Sequence, residues 1–274
     1  MEKFLDLFNS AAPNQVSMFS KLFCIALAIQ ILINFGAQLR YFKSQPARIY
    51  GKPIKLLRKF QLPPLSQNQF IFSGIILVTS LFFAAFGIYR RFALIAAFIF
   101  YFPYFNSIIS LAYVQRKTNL LPLVLLILAI SPSINQPLNG YAAAWEIVLI
   151  KIAVTQIYFS SGIQKLKHAG LSWGNGQSLQ AYLLENYLWS DRKAGYLLAQ
   201  KIRLCAALSC LILFFELSFG IIIFLPQFTF VYIAMALFFH IGTYLTMRIN
   251  YLKYLGPVYM VFFVDIAFWI KDNL

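Results

Sequence analysis

Hydrophobic residues in this chain arrive in long unbroken stretches, and the length of those stretches decides the architecture before any motif does. Residues 18–39, 70–88, 92–113, 144–166, 204–225, 228–247 and 254–270 are each mostly apolar. About twenty such residues in a helix reach across the ~30 Å hydrocarbon layer of a bilayer. Only helices and closed barrels satisfy their own backbone there. A barrel would read as short alternating segments, so the sequence predicts an all-α integral membrane protein. One further stretch, 119–131, is about half a normal span and reads as short, tilted or re-entrant. The expectation is a polytopic helical bundle of about seven to eight membrane segments in a single domain, 1–274. Residues 177–188 add a short interfacial helix after a turn at 173–176, anchored by Tyr and Trp side chains.

Charge supports this class and sets its orientation. Only 11% of residues are charged, against about a quarter in soluble domains. The net charge of +15 is uneven. No acidic residue lies between Asp6 and Glu146, while Arg40, Lys43, Arg48, Lys52, Lys55, Arg58 and Lys59 crowd one loop. A basic loop between two spans is a topology signal and an anionic-lipid contact far more often than a nucleic-acid site. Anionic lipid at loop 40–59 is therefore expected, and nucleic acid is not. Cytoplasmic placement of loop 40–69 puts the N-terminus outside. If 119–131 crosses fully, Lys165, Lys167, Lys193, Lys201 and Arg203 share the cytoplasmic side; if it is re-entrant, they lie outside. Prolines and Gly51 break loop 40–69 into short pieces, and Pro103 should kink its span. Cys24, Cys205 and Cys210 show no paired spacing, so neither a disulfide framework nor a metal site is expected. The N-terminal MEKFLDLFNSAAPNQ is too acidic and polar for a cleaved signal peptide.

Polar residues inside the apolar stretches are where function concentrates, because hydrocarbon offers them no partner. Gln30, Asn34 and Gln38 share a face and should hydrogen-bond to other helices. The densest stretch is Lys151 to Trp173. At helical spacing Lys151, Thr155, Tyr158, Gly162 and Lys165 form one stripe, while Ile152, Val154, Phe159 and Ile163 suit lipid or neighbouring helices. Three later spans hold Glu216, His240 and Asp265. A mid-bilayer carboxylate costs about 2.5–3.5 kcal/mol on insertion scales, so Glu216 needs a partner, and Lys151 is the expected one. Such a pair serves either as a lock between helices or as part of a functional site. His240 reads as a proton relay or as a packing residue. Asp265, close to the interface, reads as structural. Lys165 and Lys167 at a helix end have an ordinary role in snorkelling to headgroups.

A wider pattern changes that reading. The string Tyr158-Phe159-Ser160-Ser161-Gly162-Ile163-Gln164-Lys165-Leu166, followed by Trp173 and Gly176, resembles the vitamin K-dependent γ-carboxylase and, more broadly, the HTTM superfamily of membrane domains. Glu216-Leu217-Ser218-Phe219-Gly220 resembles that family's Asp-Leu-Ser-x-Gly, and Phe239-His240 its Phe-His pair. The resemblance implies a carboxylase-like membrane enzyme, of carbon–carbon lyase or oxygenase type, with Lys165 as catalytic base. It implies a reduced naphthoquinone, vitamin K-like, as cofactor. Oxygenation of that quinol gives an alkoxide, which takes a proton from a peptide glutamate before the carbanion captures carbon dioxide. Glu216 and His240 would assist Lys165, and Tyr158, Gly162, Trp173 and Lys151 would line the cofactor side. The family's Asn-His pair has no match at Lys117-Thr118-Asn119-Leu120, and the resemblance covers the membrane core alone. Smaller bacterial HTTM proteins mature a secreted sporulation-delaying toxin. That relationship implies a bacterial cell-membrane protein and a non-catalytic alternative: a partner for a peptide substrate or small soluble protein. A proton-coupled carrier would rest on Lys151 and Glu216 only, and the inverted repeat typical of carriers is missing.

Overall fold

The structure is a computed structural model, which describes residues 13–44, 65–111, 120–132 and 145–273. It is helical: eleven α-helices and two short 3-10 turns, with no strand among the described residues. Four helical stretches, Gln15–Arg40, Gln67–Phe86, Trp145–Asn175 and Pro226–Met247, are long and apolar enough to cross a membrane. A fifth is added if the bent pair Lys193–Ala199 and Ile202–Ser218 is one span. The chain is therefore a multi-pass helical membrane protein by length and composition. Loop 40–59 and the Lys117–Asn119 region fall largely outside the described residues.

The helices group into two compact units, one of residues up to Ile147 with Pro257–Val261, the other of Val148–Gly256 with Phe262–Leu274. In the first, α1 (Pro13–Ser44), α2 (Gln67–Phe86), α3 (Arg90–Leu111) and α4 (Leu120–Ile130) pack in sequence order. Ser66 starts α2 with a capping box, its Oγ accepting from Gln69 N at 3.3 Å while Gln69 Oε1 accepts from Ser66 N at 2.9 Å. Those bonds satisfy two groups that the first helical turn leaves orphaned. Phe19, Phe23, Phe70, Leu77, Leu81 and Leu94 are fully buried. Phe70 stacks between Phe35 and Tyr104, at centroid distances of 5.7 and 4.7 Å.

Of the three amides expected to bond across helices, only Gln38 does, accepting from Tyr104 Oη at 2.6 Å. Asn34 instead donates to the Gln30 carbonyl of its own helix at 2.6 Å, one turn back. That local bond is available wherever the neighbouring helix offers no polar group.

The short helix α4 returns to the end at which α3 began. Arg91 Nη2 donates to the Ser131 carbonyl at 3.1 Å, and Ser131 Oγ donates to the buried Glu146 carboxylate at the start of the next helix. Its eleven residues rise about 16 Å, half the hydrocarbon depth. The segment is short and ends beside the start of α3.

The second unit is built on α5 (Trp145–Ala169), which ends in a 3-10 turn over Gly170–Asn175. Then follow α6 (Gln177–Ser190), α7 (Lys193–Ala199), α8 (Ile202–Ser218), α9 (Ile221–Phe224), α10 (Thr229–Met247) and α11 (Leu252–Asn273). A turn and a short helix follow α5 at the residues where the sequence reading puts them. Two differences matter. The stretch 204–225 is not one helix: α8 stops at Ser218 and α9 restarts at Ile221. Helix α7, which the sequence reading leaves out, meets α8 at a 99° bend. Leu179 and Leu183 of α6, Ala199 of α7 and Cys205 of α8 form a buried cluster that holds these pieces together.

Candidate functional site

The stripe on α5 faces inward onto α8, α10 and α11 of its own unit. Gly162 sets the approach to α8. A Cβ there would lie 2.9 Å from Leu217 Cδ2 and 3.3 Å from Glu216 Cβ. With hydrogen in that place, the α5 and α8 backbones come close enough for side chains one turn away to meet. Small residues serve this purpose between membrane helices generally.

What meets there is Lys165 and Glu216. Lys165 Nζ is held by both carboxylate oxygens of Glu216 and donates to Ser161 Oγ at 3.1 Å. Ser161 Oγ in turn donates to Glu216 Oε1 at 3.1 Å. The side chains are 18% and 4% exposed, so the amine is shielded and the carboxylate buried. Lys165 Nζ also lies 5.4 Å from the centre of the Trp173 ring, within cation–π range.

Trp173 is delivered by the 3-10 turn and Gly176 that follow α5. Gly176 adopts φ +84°, and a Cβ there would sit 2.4 Å from Ala206 N. Only glycine fits both the left-handed backbone and the contact. Trp173 Nε1 is buried without a hydrogen-bond partner. The indole N–H is thus a donor placed beside an ion pair.

Two turns back along α5, Tyr158 Oη and His240 Nε2 of α10 are hydrogen-bonded at 2.6 Å, and both residues are buried. Tyr158 stacks on Phe219 at 4.3 Å and meets Phe215 edge-on at 5.1 Å. The His240 ring lies 5.5 Å from that of Tyr251. Burial pushes the Tyr251 hydroxyl above its ordinary range, with the charges of Glu216 and Tyr182 adding to it. Tyr158 and Lys165 stand on the same face of α5, two turns apart.

The expected Lys151–Glu216 pair is not formed. Glu216 belongs to Lys165, and Lys151 pairs with Asp265 of α11. Fourteen residues separate the two lysines, about 21 Å of helix, so one carboxylate cannot serve both. Asp265, read from sequence as a structural residue, is the partner of Lys151. Sequence reasoning also missed Ser161 and Tyr251. Ser161 stands four residues before Lys165, the spacing at which helical side chains touch, so its place was available to it. Tyr251 sits in the turn between α10 and α11 and carried no periodic signal.

No group of three or more His, Cys, Asp or Glu side chains capable of holding a metal occurs among the described residues. The arrangement consists of two ion pairs, a Tyr–His hydrogen bond and an indole donor along one helix face. Its chemical capacity is proton transfer and the holding of an oxygen-bearing group. Compared with known protein families, with curated proteins and with solved structures, the chain finds no match.

Proposed function

We propose that this chain is an HTTM-type membrane protein of seven or eight segments whose Lys165–Glu216 pair is an acid–base site for a quinol or a peptide glutamate. The observation that carries the reading is the shielded ion pair with Ser161 bridging it and Trp173 against it. An ion pair used only as a lock has no need of an unpartnered indole N–H beside it.

The donor set suits a reduced naphthoquinone. Trp173 Nε1 and Lys165 Nζ would hold one of its oxygens, and Glu216 supplies the acceptor. Such a quinol, when bound, supplies oxidation chemistry strong enough to drive proton removal from carbon. The protein's own part is narrower. An ammonium cannot accept a proton, so Lys165 must first pass one on, and Glu216 is the acceptor in contact with it. Proton transfer by positioned groups contributes about 10²–10⁴-fold in rate.

The test compares oxygen-dependent consumption of a reduced naphthoquinone by wild type, Lys165→Ala and the doubly neutral Lys165→Met/Glu216→Gln. The expected outcome is loss of about 10²-fold or more in both variants. Wild-type rates in a folded variant would remove Lys165 from the mechanism.

A second reading is a non-catalytic membrane partner that holds a peptide during maturation or export. It is favoured by the exposed apolar side chains Leu171, Leu188 and Trp189 around the interfacial helix α6. Capture of an extended peptide by the wild type with no quinol turnover would select it.

A further inference from the structure

The basic residues of the second unit gather at one of its ends. Where α5 and α10 finish and α8 and α11 begin, the chain carries Lys167, Arg192, Lys193, Lys201, Arg203 and Arg248. Toward the other end, where α8 finishes and α10 begins, the described residues hold Lys151 and Lys271, and Lys151 is paired with Asp265.

Helix α7 brings three of these cations together. It meets α8 at a 99° bend and so runs across the axis of α8 onto the last turn of α10. Gly195 makes that contact: a Cβ there would sit 2.3 Å from the Thr246 carbonyl oxygen. Gly195 and Ala199 are the buried face of α7, while Lys193, Tyr196 and Leu197 are exposed. The Arg192 guanidinium lies 5.6 Å from the centre of the Tyr244 ring, within cation–π range. Arg248 ends α10 in the left-handed region at φ +59°, its N–H donating to the Tyr244 carbonyl at 3.0 Å. Arg192 is thus fixed on the ring of Tyr244 and Arg248 on its backbone, with Lys193 beside Arg192. The Lys151–Asp265 and Lys165–Glu216 pairs use none of these cations. Tyr196, Leu197, Tyr244 and Leu245 are exposed around them.

We propose that Arg192, Lys193 and Arg248 form a site for the phosphate of an anionic phospholipid, with Tyr196, Leu197, Tyr244 and Leu245 against its acyl chains. Three cations outside any ion pair call for an anion, and exposed tyrosine and leucine beside them call for hydrocarbon attached to it. A lipid supplies both, whereas free phosphate supplies the first alone. Basic side chains at a membrane surface are drawn to anionic lipid, and the guanidinium fork matches phosphate oxygens. Tyrosine is enriched at headgroup depth. Helix α7, lying across α8, has the attitude of a helix in the plane of the interface. The site holds this end of the second unit at the leaflet richer in anionic lipid. It uses neither Lys165 nor Glu216, so it stands apart from the acid–base reading.

The test is native mass spectrometry of the purified full chain, titrated in detergent with dioleoyl phosphatidylglycerol or dioleoyl phosphatidylcholine. Wild type is expected to hold phosphatidylglycerol about tenfold or more tighter than phosphatidylcholine. Each basic residue near an anionic surface is worth about fivefold. Arg192→Gln/Lys193→Gln/Arg248→Gln, checked for helicity and monodispersity, should therefore weaken phosphatidylglycerol binding by about tenfold or more. Lys193→Gln, a single exposed change, should weaken it by about fivefold and decides the matter if the triple variant does not fold. Lys55→Gln/Arg58→Gln/Lys59→Gln, in the other basic segment, should keep the lipid that the triple variant loses. Equal binding of the two lipids by wild type would overturn the proposal. So would wild-type affinity in the folded variants, or displacement of the lipid by inorganic phosphate. The assay contains no quinol, so its failure leaves the acid–base site to stand or fall by the turnover experiment.

Discussion

Lys165 is held by Glu216, Ser161 and Trp173 together, and the energetic consequence is that no member can be removed cheaply. Taking away one partner of a buried pair leaves a charge with no compensation and costs about 3–5 kcal/mol. Tyr158→Phe removes a neutral hydrogen bond to a buried ring and should cost about 1–3 kcal/mol, read as a lower midpoint in detergent unfolding. An unchanged midpoint would mean the Tyr158–His240 bond contributes nothing. Most of these residues were legible in the sequence, because polar groups in apolar stretches are few and helical spacing places them on one face. Their pairing was not. Sequence gives the height of Glu216 and Asp265 along their own helices, but the rotation and slide of those helices against α5 decide which lysine each meets.

Among the elements, the glycines show what positions the site. At Gly162 the nearest atoms belong to the Leu217 side chain, with Glu216 Cβ at 3.3 Å beside them, and a side chain gives way more easily than backbone. Gly162→Ala should therefore cost about 1–2 kcal/mol and weaken the Lys165–Glu216 contact by spreading α5 from α8. At Gly176 the obstacle is the Ala206 backbone and φ is positive, so Gly176→Ala combines strain and overpacking at about 2–5 kcal/mol. Measured unfolding midpoints should rank Gly176→Ala well below Gly162→Ala; the reverse order would contradict the account. The long helices and the α6 helix were readable from apolar length and turn residues. Helix α7 was not, since Lys193–Ala199 is too short for a periodic pattern. The break at Phe219–Gly220 was equally hidden, inside an apolar run that continues on both sides.

At the scale of the whole molecule, the apolar stretches made the multi-pass helical class plain, while the path of the short segment α4 needed the Arg91–Ser131 contact. That path is testable in a cysteine-free background with an impermeant maleimide. Tyr89→Cys and Pro132→Cys should label from one side of the membrane and Gln67→Cys from the other. Pro132→Cys labelling with Gln67→Cys would make α4 a U-turn. Everything functional, though, turns on one buried charge pair acting as a unit. Its most direct measure is a double-mutant cycle of Lys165→Met and Glu216→Leu on unfolding free energy in bilayer-like micelles. A coupling of about 2–4 kcal/mol, with the double variant more stable than Glu216→Leu alone, is the predicted result. Additive effects within about 0.5 kcal/mol would mean the two side chains do not meet, and the acid–base site would not exist.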